Sequence, residues 1–169
     1  MKKAVLVLTL FLAFFHFGCS SKPQSNFELY LTDAPAPVLQ HVYVTLEAVY
    51  LRSEDRQSWT DNLLTEPKTI DLLKLRGREE KLAALNLPPG EYSGIKLAVS
   101  KIEIVTLERT MSITLEPPYV VTIPCHFTIT AQGTTQVTLD FDAEKSFPWD
   151  GARYNFSPFI IVKKILHTS

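Results

Sequence analysis

A thiol and an imidazole stand side by side at Cys125 and His126, in the run VVTIPCHFTI. These are the ingredients of nucleophilic attack, provided the base reaches the sulfur's proton. Neighbouring residues on a strand point to opposite faces, however, so the two cannot readily hydrogen-bond. Cys125 is expected instead to be a buried, inert thiol, because its surroundings lack the electropositive setting that makes a thiolate. The other histidines beyond the leader, His41 and His167, show neither HExxH nor paired CxxC spacing for zinc. The chain also lacks GxSxG and a phosphate-cradling glycine loop. A hydrolase working through carboxylates is the enzymatic alternative, but no pair is singled out. The expectation is no catalytic residue, no cofactor and no enzyme.

Carboxylates offer a second chemistry. Asp140, Asp142 and Glu144 alternate in DFDAEKSFPWDG, so on a strand they would share a face and present oxygens to calcium. The run lacks the glycine and the bidentate glutamate of an EF-hand loop. The competing reading puts Val137, Leu139 and Phe141 in the core and the acids in water. Asp33, in LTDAPAP, can close a turn through its side chain, with Pro35 and Pro37 stiffening the exit from the first strand. It can otherwise be a ligand contact on a loop at the end of a sandwich. Trp59, Trp149, Tyr119 and Tyr154 fall in or beside expected loops. Such rings either stack on sugars and anchor protein interfaces or close the ends of a core.

Cys19 belongs to a third chemistry. The chain opens with Lys2 and Lys3, continues through an apolar run at residues 4–15, and then reaches small residues. That is the layout of a secretory signal peptide. At about 1.5 Å per residue the apolar stretch reaches roughly 22 Å, short of a hydrocarbon core of about 30 Å. HFGCSS resembles the lipobox of bacterial lipoproteins, where a peptidase cuts before the cysteine and the sulfur receives a diacylglycerol. Gly18 matches the small residue before the cut, while His16 stands where that family prefers an aliphatic side chain. The resemblance implies that residues 1–18 are discarded and that Cys19 is the first mature residue and the lipid attachment site. Residues 19–26 then form a polar tether, and palmitate-like acyl chains make a membrane the partner. Ser20 after the cysteine resembles lipoproteins sorted to an outer membrane, where the organism has one. Plain secretion with cleavage after Ser20, and an uncleaved anchor, are the alternatives.

Elements must position these groups. Removing residues 1–18 leaves 151 residues of 169, enough for one domain with its own core, expected over 27–169. The mature part carries 15 basic against 18 acidic side chains and no basic stripe, which argues against nucleic acid as a partner. FELYL, HVYVTLEAVYL, TIDLLKL, YSGIKLAVSKIEIV, SITL, YVVTIPCHFTI, TQVTLDFD and YNFSPFIIVKKIL alternate or run in β-branched and aromatic residues. DAPAP, SEDRQ, LPPGEY, EPPY, AQGTT and FPWDGAR separate them as turns. Pro124 and Pro158 mark edge or bulged strands, and only REEKLAALN has helical character, for about two turns at most. The fold class that follows is all-β: an antiparallel β-sandwich with at most one short helix.

LPPGEYSGIKLAV is similar to the turn-and-strand of prealbumin-like sandwiches, beside the immunoglobulin-like alternative. More specifically, LYLTDAPAP, VYVTLEAVYL, TIDLLKL, LNLPPGEYSGIKL, VTLDFDAEKS and YNFSPFI, in that order, resemble a bacterial lipoprotein family catalogued only as a domain of unknown function, DUF4382. The resemblance implies a surface or periplasmic sandwich and supplies no catalytic residue to carry over. The expected role is a lipid-anchored binding or scaffolding module of the cell envelope for protein or polysaccharide. A purely structural lipoprotein and the carboxylate hydrolase are the alternatives.

Overall fold

The computed structural model describes residues 25–33 and 39–168. The expectations for the leader, the Cys19 anchor and most of the tether lie outside the described residues. Alternation drives the strands. In β2 (His41–Ser53), Val42, Val44 and Leu46 are buried while Tyr43, Thr45 and Glu47 point outward. The same two-residue period buries Val137, Leu139 and Phe141 in β8 (Thr134–Phe141) and Phe27, Leu29 and Leu31 in β1 (Phe27–Thr32). Each such side chain contributes about 1.5–3 kcal/mol by leaving water.

The remaining elements are β3 (Ser58–Trp59), β4 (Lys68–Asp71), β5 (Glu80–Leu85), β6 (Gly90–Val105), β7 (Thr110–Ile129), a four-residue helix α1 (Ala143–Ser146) and β9 (Ile160–Thr168). They form two sheets packed on one apolar core. One has the order β5-β1-β8-β9; the other runs β3-β2-β6-β7, with β4 also on β2. The all-β sandwich with one short α-helix is therefore as expected. Its antiparallel character has one exception, since β1 and β8 run parallel from Phe27↔Thr135 to Thr32↔Asp140. A parallel pair needs a long crossover, and the intervening chain makes it by building the second sheet.

Three local readings change. REEKLAALN is not helical: Glu80–Leu85 is strand β5, paired with β1 and burying Leu82 and Ala83. TIDLLKL is β4 followed by a 3-10 turn over Leu72–Leu75. SITL and YVVTIPCHFTI merge through EPPY into the 20 residues of β7. Prolines are tolerated there because β7 lies at the edge of its sheet, where a missing N–H breaks no second ladder. Pro124 sits in that edge strand beside a register shift, as expected, whereas Pro158 lies outside the strands.

The sandwich has two distinct poles. At one, Asn26 Nδ2 donates to Leu87 O and its Oδ1 accepts from Leu87 N, each at 2.8 Å. Phe127 closes the core there, stacked between Phe27 and Tyr92. From Gly90 at this end, β6 climbs about 50 Å, at about 3.3 Å per residue, to the β6–β7 turn. The eight residues of β8 span only about half that distance. The far end of the β6–β7 hairpin therefore overhangs the other sheet, and its apolar inner face needs another cover.

Candidate functional site

That cover is the segment after α1. It doubles back as a small hairpin in which Trp149 bridges Tyr154, and Ser157 N donates to Ser146 O at 2.9 Å. Asp150 builds the turn. Its Oδ1 accepts the amides of Ala152 and Arg153, both at 2.9 Å, and its Oδ2 accepts Asn155 Nδ2 at 2.7 Å. Those hydrogen bonds, Asn155's first, hold its carboxyl down to about 2. Gly151 takes φ +97 in this turn, a conformation that side chains strain to reach.

Rings then lead from core to surface. Phe141 stacks on Phe147, Phe147 on Phe156, and Phe156 meets Tyr119 edge-on at 5.4 Å between centroids. Trp149 tilts against Tyr154 at 5.0 Å, and the Arg109 guanidinium lies 5.2 Å from the Trp149 centroid. Two adjoining hollows result. One of about 420 Å³ is lined by Thr106, Leu107, Glu108, Arg109, Trp149 and Tyr154. The other, of about 460 Å³, has Ile104, Met111, Ile113 and Leu115 facing Arg153, Tyr154, Asn155 and Phe156. Tyr154 lines both, so a cationic-aromatic groove and an aliphatic hollow adjoin at that residue. Leu107 is 87% exposed and Trp149 46%, large apolar surfaces that water solvates poorly. This arrangement can bind: flat rings and an arginine supply contact area, and the aliphatic hollow accepts apolar groups.

The structure brings Trp149 and Tyr154 together, places Tyr119 within strand β7 against Phe156, and leaves Trp59 apart. Trp59 lies at the opposite pole, paired to Arg52, with Lys96 Nζ 4.0 Å from its ring centroid. Cys125 and His126 point to opposite faces, one buried and the other exposed. Burial pushes the Cys125 thiol up to about 11, which leaves it inert.

The acidic run does not form one face, because β8 ends at Phe141 and the chain turns into α1. Asp142 caps that helix, accepting Lys145 N at 3.0 Å and pairing with Lys145 Nζ at 2.7 Å. Burial alone would raise the Asp142 carboxyl, but Lys145 more than offsets it and the net shift is downward. Asp140 pairs with Lys163 at 3.5 Å, and Glu144 is exposed on the helix. Asp140, Asp142 and Glu144 thus do not converge as calcium ligands. Among the described residues no group of three or more histidine, cysteine or acidic side chains is arranged to hold a metal.

Asp33 follows β1 directly, while the turn expected after it, with Pro35 and Pro37, lies outside the described residues. Asp33 is only 3% exposed, and its Oδ1 accepts the amide of Ala143, 110 residues away, at 2.8 Å. Its Oδ2 is buried without a hydrogen-bond partner. Burial raises the carboxyl to about 7; the Ala143 amide and Arg76 oppose this, while Asp140 and Asp142 add to it. Sequence reasoning also missed a pair at the same pole: His41 Nδ1 lies 2.7 Å from Oδ2 of the buried Asp71. Lys74 Nζ lies 3.6 Å from that oxygen, and the His41 ring stacks on Tyr43. Thirty residues separate the partners in sequence, so only the β2–β4 pairing reveals them.

A family profile described as "Domain of unknown function (DUF4382)" matches residues 24–158. None of the curated proteins and none of the solved structures matches the chain. The match spans most of the sequence, and the chain belongs to this family.

Proposed function

We propose that this family member is a binding module of the cell envelope, held on a membrane through lipid at Cys19, with the distal groove as its recognition surface. The observation that carries this reading is the groove itself. Exposed Trp149 and Leu107, with Arg109 and Tyr154, are gathered on loops at one pole. Loops on a rigid sandwich are where recognition residues concentrate, and Trp, Tyr and Arg are the side chains that dominate binding energy. The ligand class is protein or envelope polysaccharide. The alternative of a purely structural lipoprotein needs a broad self-complementary face rather than a groove.

Two measurements test the reading. Cys19→Ala should release the protein from membranes; unchanged membrane fractionation removes the anchor. A photo-reactive residue at Leu107 should give a discrete adduct in intact cells, while the same residue at Gln132, near Asn26, should not. Equal labelling from both ends, or none from Leu107, removes the binding role.

A further inference from the structure

We infer that the outer face of the larger sheet carries a separate binding site, a hollow that takes a neutral sugar ring of a glycan. It stands apart from the groove and from any anchor at Cys19. Register builds it. β2 pairs with β4 on one side and β6 on the other, which sets Thr69, Thr45 and Lys101 in one outward row and Tyr43 beside Glu103 in the next. The hollow they line measures about 280 Å³. Pockets that enclose a drug-sized molecule run from roughly 300 to 1,000 Å³, so this one suits a single ring.

The lining selects the ligand. Tyr43 supplies an aromatic wall, and the Thr45 and Thr69 hydroxyl oxygens lie 2.9 Å apart, each able to donate and to accept. Lys101 Nζ lies 3.7 Å from a Glu103 carboxylate oxygen. Their charges cancel: an anion drawn to Lys101 meets Glu103, and a cation drawn to Glu103 meets Lys101. An apolar group would strip water from the ammonium, the carboxylate and both hydroxyls without replacing their hydrogen bonds. A neutral sugar ring suits the whole lining. Its hydroxyls donate to Glu103, accept from Lys101 and do either with the threonines, while its C–H face packs on the tyrosine ring.

A buried carboxylate braces the wall. Along β2, His41 and Thr45 are the outward neighbours of Tyr43 on its two sides. Thr45 lines the hollow, while the His41 ring stacks on Tyr43 with centroids 5.5 Å apart and planes 13° from parallel. His41 is held in turn by Asp71, whose side chain is 5% exposed and whose Oδ2 lies 2.7 Å from Nδ1. Burying a carboxylate is costly, and this one directs its shortest contact at a surface ring. A wall ordered before the ligand arrives loses little freedom on binding. An outer face that served solubility alone has no need of such a brace.

The test uses the full chain, purified in a detergent without a sugar headgroup, on an array of neutral, acidic and amino-sugar oligosaccharides. The expected result is binding to neutral glycans, lowered about tenfold or more by Tyr43→Ala and retained by Tyr43→Phe, with both variants melting within a few degrees of the native chain. Glu103→Gln, at a position on the surface, should weaken it severalfold, so the test survives a Tyr43→Ala protein that melts early. His41→Phe, which keeps a ring against Tyr43, should retain more signal than His41→Ala; equal signals overturn the bracing role. The inference is overturned if the native chain binds no glycan, if it prefers acidic or amino sugars, or if neither Tyr43→Ala nor Glu103→Gln weakens binding. These variants should leave the Leu107 adduct unchanged, so this site and the groove fail independently.

Discussion

Replacing Asp33 with asparagine should flatten part of the protein's pH dependence. Asp33 is buried at the end of β1, one oxygen accepting the first amide of α1 and the other unpartnered. Its pKa rises from 3.8 to about 7, chiefly because burial penalises the carboxylate, with Asp140 and Asp142 adding repulsion and Arg76 opposing it. The folded state thus holds the proton more tightly than the unfolded chain. This stabilisation is complete below about pH 4, falls as pH rises, and is gone above about pH 7. Roughly three pH units at about 1.36 kcal/mol each set a ceiling near 4 kcal/mol. Asparagine keeps the acceptor for Ala143 but buries an amide nitrogen in place of the unpartnered oxygen, at a cost of about 1–3 kcal/mol. Urea unfolding of both proteins at pH 5 and pH 8 should therefore show different pH dependences. The variant should be the more stable at pH 8, and its advantage should shrink or reverse by pH 5, the difference changing by about 2–3 kcal/mol between them. Comparing the two proteins cancels the other titrating groups. A constant difference at both pH values would refute the reasoning, since Asp33 would then carry the same charge throughout.

Three further outcomes follow from single contacts. In a Cys19→Ala background, Cys125 should resist a thiol reagent at pH 8 until denaturant is added, because its thiol is buried and pushed up to about 11; rapid labelling of the folded protein would contradict this. Asn26→Ala removes both hydrogen bonds to Leu87 and should cost about 1–3 kcal/mol in urea unfolding, with no change at the groove. Asp150→Ala should leave the global melting curve nearly unmoved while amide exchange quickens at Ala152, Arg153 and Asn155 and the Trp149 emission shifts, because the turn that holds the small hairpin is lost.

Much of the fold was legible because side-chain alternation is local information. HVYVTLEAVYL and TQVTLDFD each declare which residues face the core, and both are strands that bury the expected side. Cys125 was legible on the same grounds, as was the edge position of Pro124, which lacks a donor for a second neighbour. Elements whose state depends on distant partners were misread. The segment REEKLAALN has helix formers but becomes β5 because β1 offers it a ladder and a core face. EPPY looks like a turn, yet β7 runs through it, since β6 supplies a continuous partner from Gly90 to Val105. The acidic alternation was real, but it stops mattering where β8 gives way to α1.

The site divides along the same line. Sequence alone determined that Trp149 and Tyr154 sit near loops, that no familiar catalytic motif is present, and that the fold is all-β, because residue type and a two-residue period need no knowledge of the partner strand. Only the tertiary structure decided which aromatics meet, that Asp33 reaches Ala143, that His41 faces Asp71, and that an overhanging hairpin leaves a groove far from Asn26. Each of those depends on strand order, relative length and register between segments far apart in the chain, quantities that no local pattern encodes.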